Sequence, residues 1–200
     1  TQERMKLTTN EVAAKLKVTD FSAFQKPGKN KGARGQLLET ALGISNSSDL
    51  TDLIDGELKS FTQGESIAVT QIKHCLHEII RDEVGFYDSK VGEKLRQTIY
   101  VGFTRSNDYI GTATISFDSC PKHFCELAED YEYICNEIRN RYNNSQELST
   151  ITGPNKLLQI RTKASKNKWG QYTPLVYNDK VMKDKNMAFY LCTQFGKTII

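Results

Sequence analysis

From Pro121 to about residue 142, the apolar side chains Phe124, Leu127, Tyr131, Ile134 and Ile138 recur at helical spacing, and Pro121 suits the first turn of a helix. A helix of that length with one apolar stripe must bury it, so the stripe is read as core. Strands supply the surface that covers it. Residues 98–104 read as a buried strand, 110–117 alternate as a second, 157–164 run as a third into a basic loop, and 187–195 form the last. Gly56 to Thr62 is a further strand. Thr8-x-x-Glu11 is a capping box before a short helix, and residues 36–42 are helical with Gly43 as their stop. Residues 66–82 place Ile67, Val69, Ile72, Leu76, Ile79 and Ile80 on one helical face, and 83–97 are mixed and polar. Helices around a mixed central sheet make an α/β fold, and nothing divides residues 1–200, so a single domain is expected. The chain starts at Thr1 rather than at a methionine, which suits a piece of a longer protein.

A hydrophobic content of 38% beside 26% charged residues is ordinary for a globular domain. No apolar run is long enough to span a membrane, so no membrane partner is expected. Cys75, Cys120, Cys125, Cys135 and Cys192 form no C-x-x-C pair, which suits reduced thiols and a cytoplasmic location. His74, Cys75, His77 and Glu78 are read as surface and core positions of a helix rather than as metal ligands. The net charge of +3 is unevenly spread. Lys26, Lys29, Lys31 and Arg34 cluster in a glycine-rich stretch, and Arg161, Lys163, Lys166 and Lys168 cluster later, while acidic residues gather at 126–137. Local basic patches on a mildly basic chain suit a polyanion. In residues 25–35 the glycines let backbone approach a phosphate closely, so Lys29 and Lys31 are read as positioning contacts.

The stretch Asp52-Leu-Ile-Asp55-Gly56-Glu57-Leu58-Lys59 carries the chemistry. Glu57 and Lys59 are two apart, so on a strand they project to one face. Asp55-Gly56 reads as a tight turn, across which Asp52 approaches Glu57 from a preceding strand or turn. Two carboxylates and an ammonium are what metal-assisted phosphodiester hydrolysis requires: the carboxylates hold Mg²⁺ and the lysine orients or deprotonates the attacking water.

Four motifs in order resemble one family. They are Gly32-Ala-Arg34-Gly35-Gln-Leu-Leu-Glu39-Thr-Ala-Leu-Gly43, then Asp52 with Glu57-Leu58-Lys59, then Leu158-Gln-Ile-Arg161-Thr-Lys163-Ala164, then Ala188-Phe-Tyr190-Leu. Together they resemble the MutH-type mismatch-repair endonucleases and the related type II restriction enzymes that cut GATC. The resemblance runs from about residue 8 to the C-terminus. It implies a PD-(D/E)xK restriction-endonuclease-like fold with Asp52, Glu57 and Lys59 as catalytic triplet, and Glu39 as an auxiliary carboxylate near the metals. Ser89-Lys-Val91-Gly-Glu-Lys94-Leu95 resembles the segment that supplies an additional active-site lysine, Lys94. Arg161 and Lys163 fall at DNA-reading positions, and Tyr190 falls where the family has a tyrosine close to the adenine. Mg²⁺ would sit between Asp52, Glu57 and the Leu58 carbonyl.

The chain departs from the family twice. Four residues separate Asp52 from Glu57 where MutH has six, and Asp49 would give seven; Asp52 is preferred because four residues across Asp55-Gly56 make a tight hairpin. Thr162 stands where MutH has proline. The expected function is a Mg²⁺-dependent, sequence-specific endonuclease acting on double-stranded DNA, of the GATC-cutting restriction type. The alternatives are a MutH-like repair nickase and, from a different class, a catalytically silent DNA-binding domain with an allosteric role.

Overall fold

The computed structural model describes residues 6–25, 33–44 and 53–200. Chain order runs α1 (Thr9–Lys17), α2 (Ala33–Leu42), β1 (Glu57–Thr62), β2 (Ile67–Gln71), α3 (Leu76–Arg81), α4 (Lys90–Leu95), β3 (Gln97–Phe103), β4 (Tyr109–Ser116), α5 (Pro121–Asn143), β5 (Ile151–Thr152), β6 (Leu158–Thr162), β7 (Leu175–Tyr177), β8 (Lys180–Lys183), β9 (Met187–Leu191) and α6 (Thr193–Ile199). The architecture is mixed α/β, with helices and several sheets. No described helix is long and apolar enough to cross a membrane.

The chain forms two compact units, and each is interleaved in sequence. The first comprises Thr1–Glu65, Lys94–Ser119 and Gly196–Ile200. Its sheet runs β1-β3-β4, with β1 parallel to β3 and β3 antiparallel to β4. One sheet face presents Leu58, Ile99, Val101 and Phe103, which pack with Val12 and Leu16 of α1 and Leu38 and Leu42 of α2. Thr8 caps α1 as expected, with Glu11 N–H donating to Thr8 Oγ1 at 3.2 Å, while the Glu11 carboxylate meets the Thr8 hydroxyl at 3.1 Å. Gly43 ends α2 with φ +73°, the left-handed conformation that glycine adopts without penalty. Arg34, on the first turn of α2, lies with its guanidinium 4.7 Å over the Phe103 ring and donates from Nη2 to Thr62 Oγ1 at 2.7 Å. Burial lowers its pKa against the opposing pull of Glu65.

The second unit comprises Ser66–Glu93 and Cys120–Phe195. Its main sheet is antiparallel throughout, in the order β2-β9-β6-β5, with β7-β8 as a separate ribbon. Register pairs Leu158 with Leu191 and Ile160 with Phe189, so these side chains share the face covered by α5, where Tyr131 meets Phe189 with ring centroids 5.9 Å apart. The stripe Phe124, Leu127, Tyr131, Ile134 and Ile138 is buried as expected. Asp130 lies within that stripe and is fully buried. Its Oδ2 accepts from the backbone N–H of Leu157 (2.8 Å) and Leu158 (3.0 Å), and its Oδ1 from Asn155 N–H (2.7 Å). A helix carboxylate thereby caps the β5–β6 turn. Gly153 is obligatory beneath it, because a Cβ there would come within 2.2 Å of the Asp130 carboxyl carbon.

Several sequence expectations change. Residues 66–82 are not one helix: β2 takes Ile67–Gln71, a 3₁₀ turn takes Ile72–His74, and α3 starts at Leu76. Ile67, Val69 and Thr70 are β-branched, and the pairing of β2 with β9 decides in favour of the strand. The second helix begins at Ala33, earlier than residue 36, and the last strand stops at Leu191 with α6 after it. Residues 83–97 hold a 3₁₀ turn at Phe86–Asp88 and then α4. Residues 53–56 are bends rather than a strand, closed by Leu53 N–H donating to the Gly56 carbonyl at 2.9 Å, so β1 is paired with β3 and not with a hairpin partner built from these residues.

Candidate active site

Glu57 is the first residue of β1 and is 3% exposed. Because side chains alternate along a strand, Leu58 enters the core while Glu57 and Lys59 stand on the opposite face. Register aligns Glu57 with Thr98 and Lys59 with Tyr100 on β3. A buried carboxylate requires a compensating partner, either a cation or a set of hydrogen-bond donors such as the one around Asp130. Lys94, from the end of α4, supplies a cation, with its Nζ 3.0 Å from Glu57 Oε1. The Lys94 carbonyl accepts from Thr98 Oγ1 at 3.4 Å, which ties the helix end to β3. Tyr100 is fully buried on this same face. Burial raises its hydroxyl pKa, the Glu57 charge adds to the rise, and a hydrogen bond with Thr98 opposes it. The site around Glu57 therefore contains Lys94, Thr98 and Tyr100, with the half-buried Lys59 two positions along.

The start of β1 is fixed by a polar knot. Asp55 Oδ1 accepts from Thr9 N–H at 2.8 Å and its Oδ2 from Thr9 Oγ1 at 3.0 Å, at the positive N-terminus of α1. Gln97 Nε2 donates to Asp55 Oδ2 at 3.1 Å and to Thr9 Oγ1 at 3.0 Å. Gly56 sits beneath, where a Cβ would approach the Gln97 carbonyl oxygen to 2.4 Å. Asp55 is thus committed to capping, and the Asp55-Gly56 pair aims Glu57 rather than contributing a second ligand.

Of the other expected residues, Asp52, Asp49, Lys29 and Lys31 lie outside the described residues. Glu39 is half-buried on α2, the helix that turns Leu38 and Leu42 toward the Leu58 side of the sheet. Among the described residues, no group of three or more His, Cys, Asp or Glu side chains gathers where a metal could be held. The chemistry of the available donors nevertheless fits a hard cation: the Glu57 carboxylate and the Leu58 carbonyl are oxygen donors, and the buried Glu57 charge is one that a divalent ion would balance.

The second unit holds the remaining expected residues. Arg161 and Tyr190 meet: the guanidinium lies 4.5 Å from the Tyr190 ring centroid, and Arg161 Nη1 donates to Ser66 Oγ at 2.8 Å. Register pairs Tyr190 with Gln159 and Ala188 with Arg161, so these residues line the sheet face opposite α5. Lys163 follows β6 directly and is exposed, its backbone N–H donating to the Asn186 carbonyl at 2.9 Å. Beside it, Gln71, Lys73, Ser165, Tyr172 and Asn186 contribute to a cavity of about 350 Å³. Asn186 Oδ1 is buried there without a hydrogen-bond partner. His77 Nδ1 lies 3.1 Å from the Tyr177 hydroxyl, and Glu78 Oε1 accepts from Lys90 N–H at 2.9 Å.

Thr98, Tyr100, Ser66 and Asn186 were not legible as site residues from the sequence. Thr98 and Tyr100 read as ordinary members of a buried strand, and their role follows only from register against β1. In comparisons with known proteins, no family model and no curated protein sequence matches this chain.

Proposed function

We propose that this chain is a Mg²⁺-dependent, sequence-specific endonuclease of double-stranded DNA, built on the PD-(D/E)xK plan and of the GATC-cutting type II restriction kind. The observation that carries the proposal is the convergence on Glu57. A carboxylate buried at the start of a strand has one lysine two residues along the same face and a second, Lys94, brought 3.0 Å from it by a separate helix. A plain structural ion pair needs one lysine. Hydrolysis of a phosphodiester needs a cation-binding carboxylate and ammonium groups that face the anion and the attacking water.

Bound Mg²⁺ would be held by Glu57, the Leu58 carbonyl and Asp52, with Glu39 as helper, and would neutralise charge on the diester and acidify bound water. Lys59 orients the attacking water and takes part in its deprotonation. Lys94 holds the Glu57 carboxylate in position. Tyr100 and Thr98 close the floor of the site and exclude solvent behind Glu57. In the other unit, Arg161 and Lys163 contact base edges, since arginine or lysine on guanine O6 and N7 is the commonest specific contact, and Tyr190 packs on Arg161 to hold its orientation.

The test is digestion of plasmid carrying mapped GATC sites, methylated and unmethylated, with and without Mg²⁺. Metal-dependent fragments ending at GATC are expected, and Lys59→Ala is expected to abolish cleavage while retaining DNA binding. Single nicks in place of double cuts would identify the repair-nickase alternative. Binding without cleavage in Mg²⁺ or Mn²⁺ would refute the enzyme reading in favour of a silent DNA-binding domain.

A further inference from the structure

Trp169, the chain's single tryptophan, is 72% exposed. It stands at the tip of a small hairpin that the structure builds with care. Lys166 and Tyr172 form an antiparallel bridge, Asn167 N–H donates to the Gln171 carbonyl at 2.8 Å, and Gly170 N–H donates to the Asn167 carbonyl at 3.0 Å. Asn167 Oδ1 accepts from both Trp169 N–H (2.9 Å) and Gln171 N–H (3.0 Å). Gly170 has φ +75°, which completes the reversal. The backbone under the indole is therefore held by its own hydrogen bonds, while the indole itself stands largely in solvent.

The charge along this segment of the chain has one sign. Between Arg161 and Asn178 the sequence holds Arg161, Lys163, Lys166 and Lys168 and no carboxylate. Lys168 Nζ lies 4.4 Å from the Trp169 ring centroid, and Lys166 and Lys185 lie 5.5 and 4.7 Å from that of Tyr172. An exposed aromatic flanked by ammonium groups matches a base flanked by phosphates. It does not match an apolar protein groove, which would leave the lysines unpaired.

We infer that the Trp169 hairpin enters the DNA duplex, with the indole stacking on a base while Lys166 and Lys168 take the adjacent phosphates. Aromatic stacking is insensitive to which base is met, so this contact anchors and deforms the duplex without reading it. The inference rests on the proposed DNA substrate, and deepens it by assigning a contact that the Arg161–Lys163 face does not supply.

Because Trp169 is the only indole, its emission reports the contact directly. Duplex titrated in Ca²⁺ is expected to quench that emission and to shield it from acrylamide. Trp169→Ala is expected to bind the duplex roughly 5- to 100-fold more weakly with an unchanged salt slope, and Trp169→Phe to recover most of the loss. Lys168→Ala is expected instead to lower the salt slope by about one. A duplex that binds and is cut while leaving the indole emission and its acrylamide quenching unaltered would overturn this inference alone. Equal affinity of wild type and Trp169→Ala would do the same. A protein that binds no duplex even at low salt would overturn both this inference and the endonuclease reading.

Discussion

Replacing Lys94 with methionine removes the ammonium that compensates Glu57 while keeping most of the side-chain volume. Two unit charges 3.0 Å apart interact by about 5 kcal/mol at an effective dielectric of about 20. Fixing the lysine chain costs about 2 kcal/mol in rotamer freedom. The Lys94 side chain is 26% exposed and Glu57 only 4%, so solvent screens the pair partly from one side. The net loss is therefore about 2–3 kcal/mol, at or just below the roughly 3–5 kcal/mol that removing one partner of a fully buried pair costs, as the partial exposure of Lys94 requires. With a urea m-value of about 2 kcal/mol/M, the unfolding midpoint followed by far-ultraviolet circular dichroism should fall by about 1 M. The decisive measurement is the double-mutant cycle with Glu57→Gln. The double variant should be less destabilised than the sum of the singles, with a coupling of about 2 kcal/mol. A Lys94→Met variant with the wild-type midpoint, or a coupling near zero, would show that the contact does not hold the carboxylate in place and would remove the ground for treating Lys94 as part of the site.

Asp130→Ala should destabilise the protein by about 3–5 kcal/mol in denaturant titrations, because it strands the N–H groups of Asn155, Leu157 and Leu158; a loss under 1 kcal/mol would mean that the turn re-satisfies them. Burial pushes the thiols of Cys75 and Cys135 up to about 12 and that of Cys192 up to about 11, from 9.0, so at pH 8 the exposed Cys125 should react with a thiol reagent far ahead of these three. The same shifts set an alkaline limit. The protonated buried thiols contribute their stability in full below about pH 9, and it is lost as pH rises toward 12, which base titration of the unfolding midpoint would reveal. Lys163→Ala should reduce discrimination between GATC and one-base variants by about 1–3 kcal/mol, whereas Lys29→Ala should weaken all duplexes alike with a shallower salt slope; binding titrations in Ca²⁺ at two salt concentrations separate the two.

Where one periodicity dominated, the elements were legible. Pro121 and the stripe to Ile138 gave α5 nearly to the residue, and the β-branched and aromatic run through residue 103 gave β3. Between 66 and 82 the apolar positions satisfy two periods at once. Ile67 and Val69 alternate, Ile72, Leu76 and Ile79 recur helically, and only the pairing with β9 shows where one gives way to the other. Polar roles were harder to read. Asp130 occupies the same helical face as Leu127, Tyr131 and Ile134, which flags a buried carboxylate, but its partners lie 25 to 28 residues away and no local pattern names them. Asp55 looked like a turn residue and proves to cap a helix 46 residues earlier. Glu57 and Lys59 follow from strand alternation, whereas Lys94, 37 residues from Glu57, came from resemblance to a family motif and not from any spacing rule.

The parallel pairing of β1 with β3 bears on how the protein is made. Parallel neighbours cannot be joined by a tight turn, and here the connection between them carries residues 66–93 of the other unit. A ribosome adds about 5–20 residues per second. Glu57 therefore leaves the ribosome roughly 2–7 seconds before Lys94, which is 37 residues behind it. During that interval β1 lacks its β3 neighbour and Glu57 lacks its Lys94 contact. The unit that holds Glu57 cannot close until a stretch of the other unit has been synthesised, and neither unit can be cut out of the gene as one uninterrupted piece. Isolating the Glu57 unit for study would require rejoining its three segments with new linkers, a rearrangement of the gene rather than a truncation.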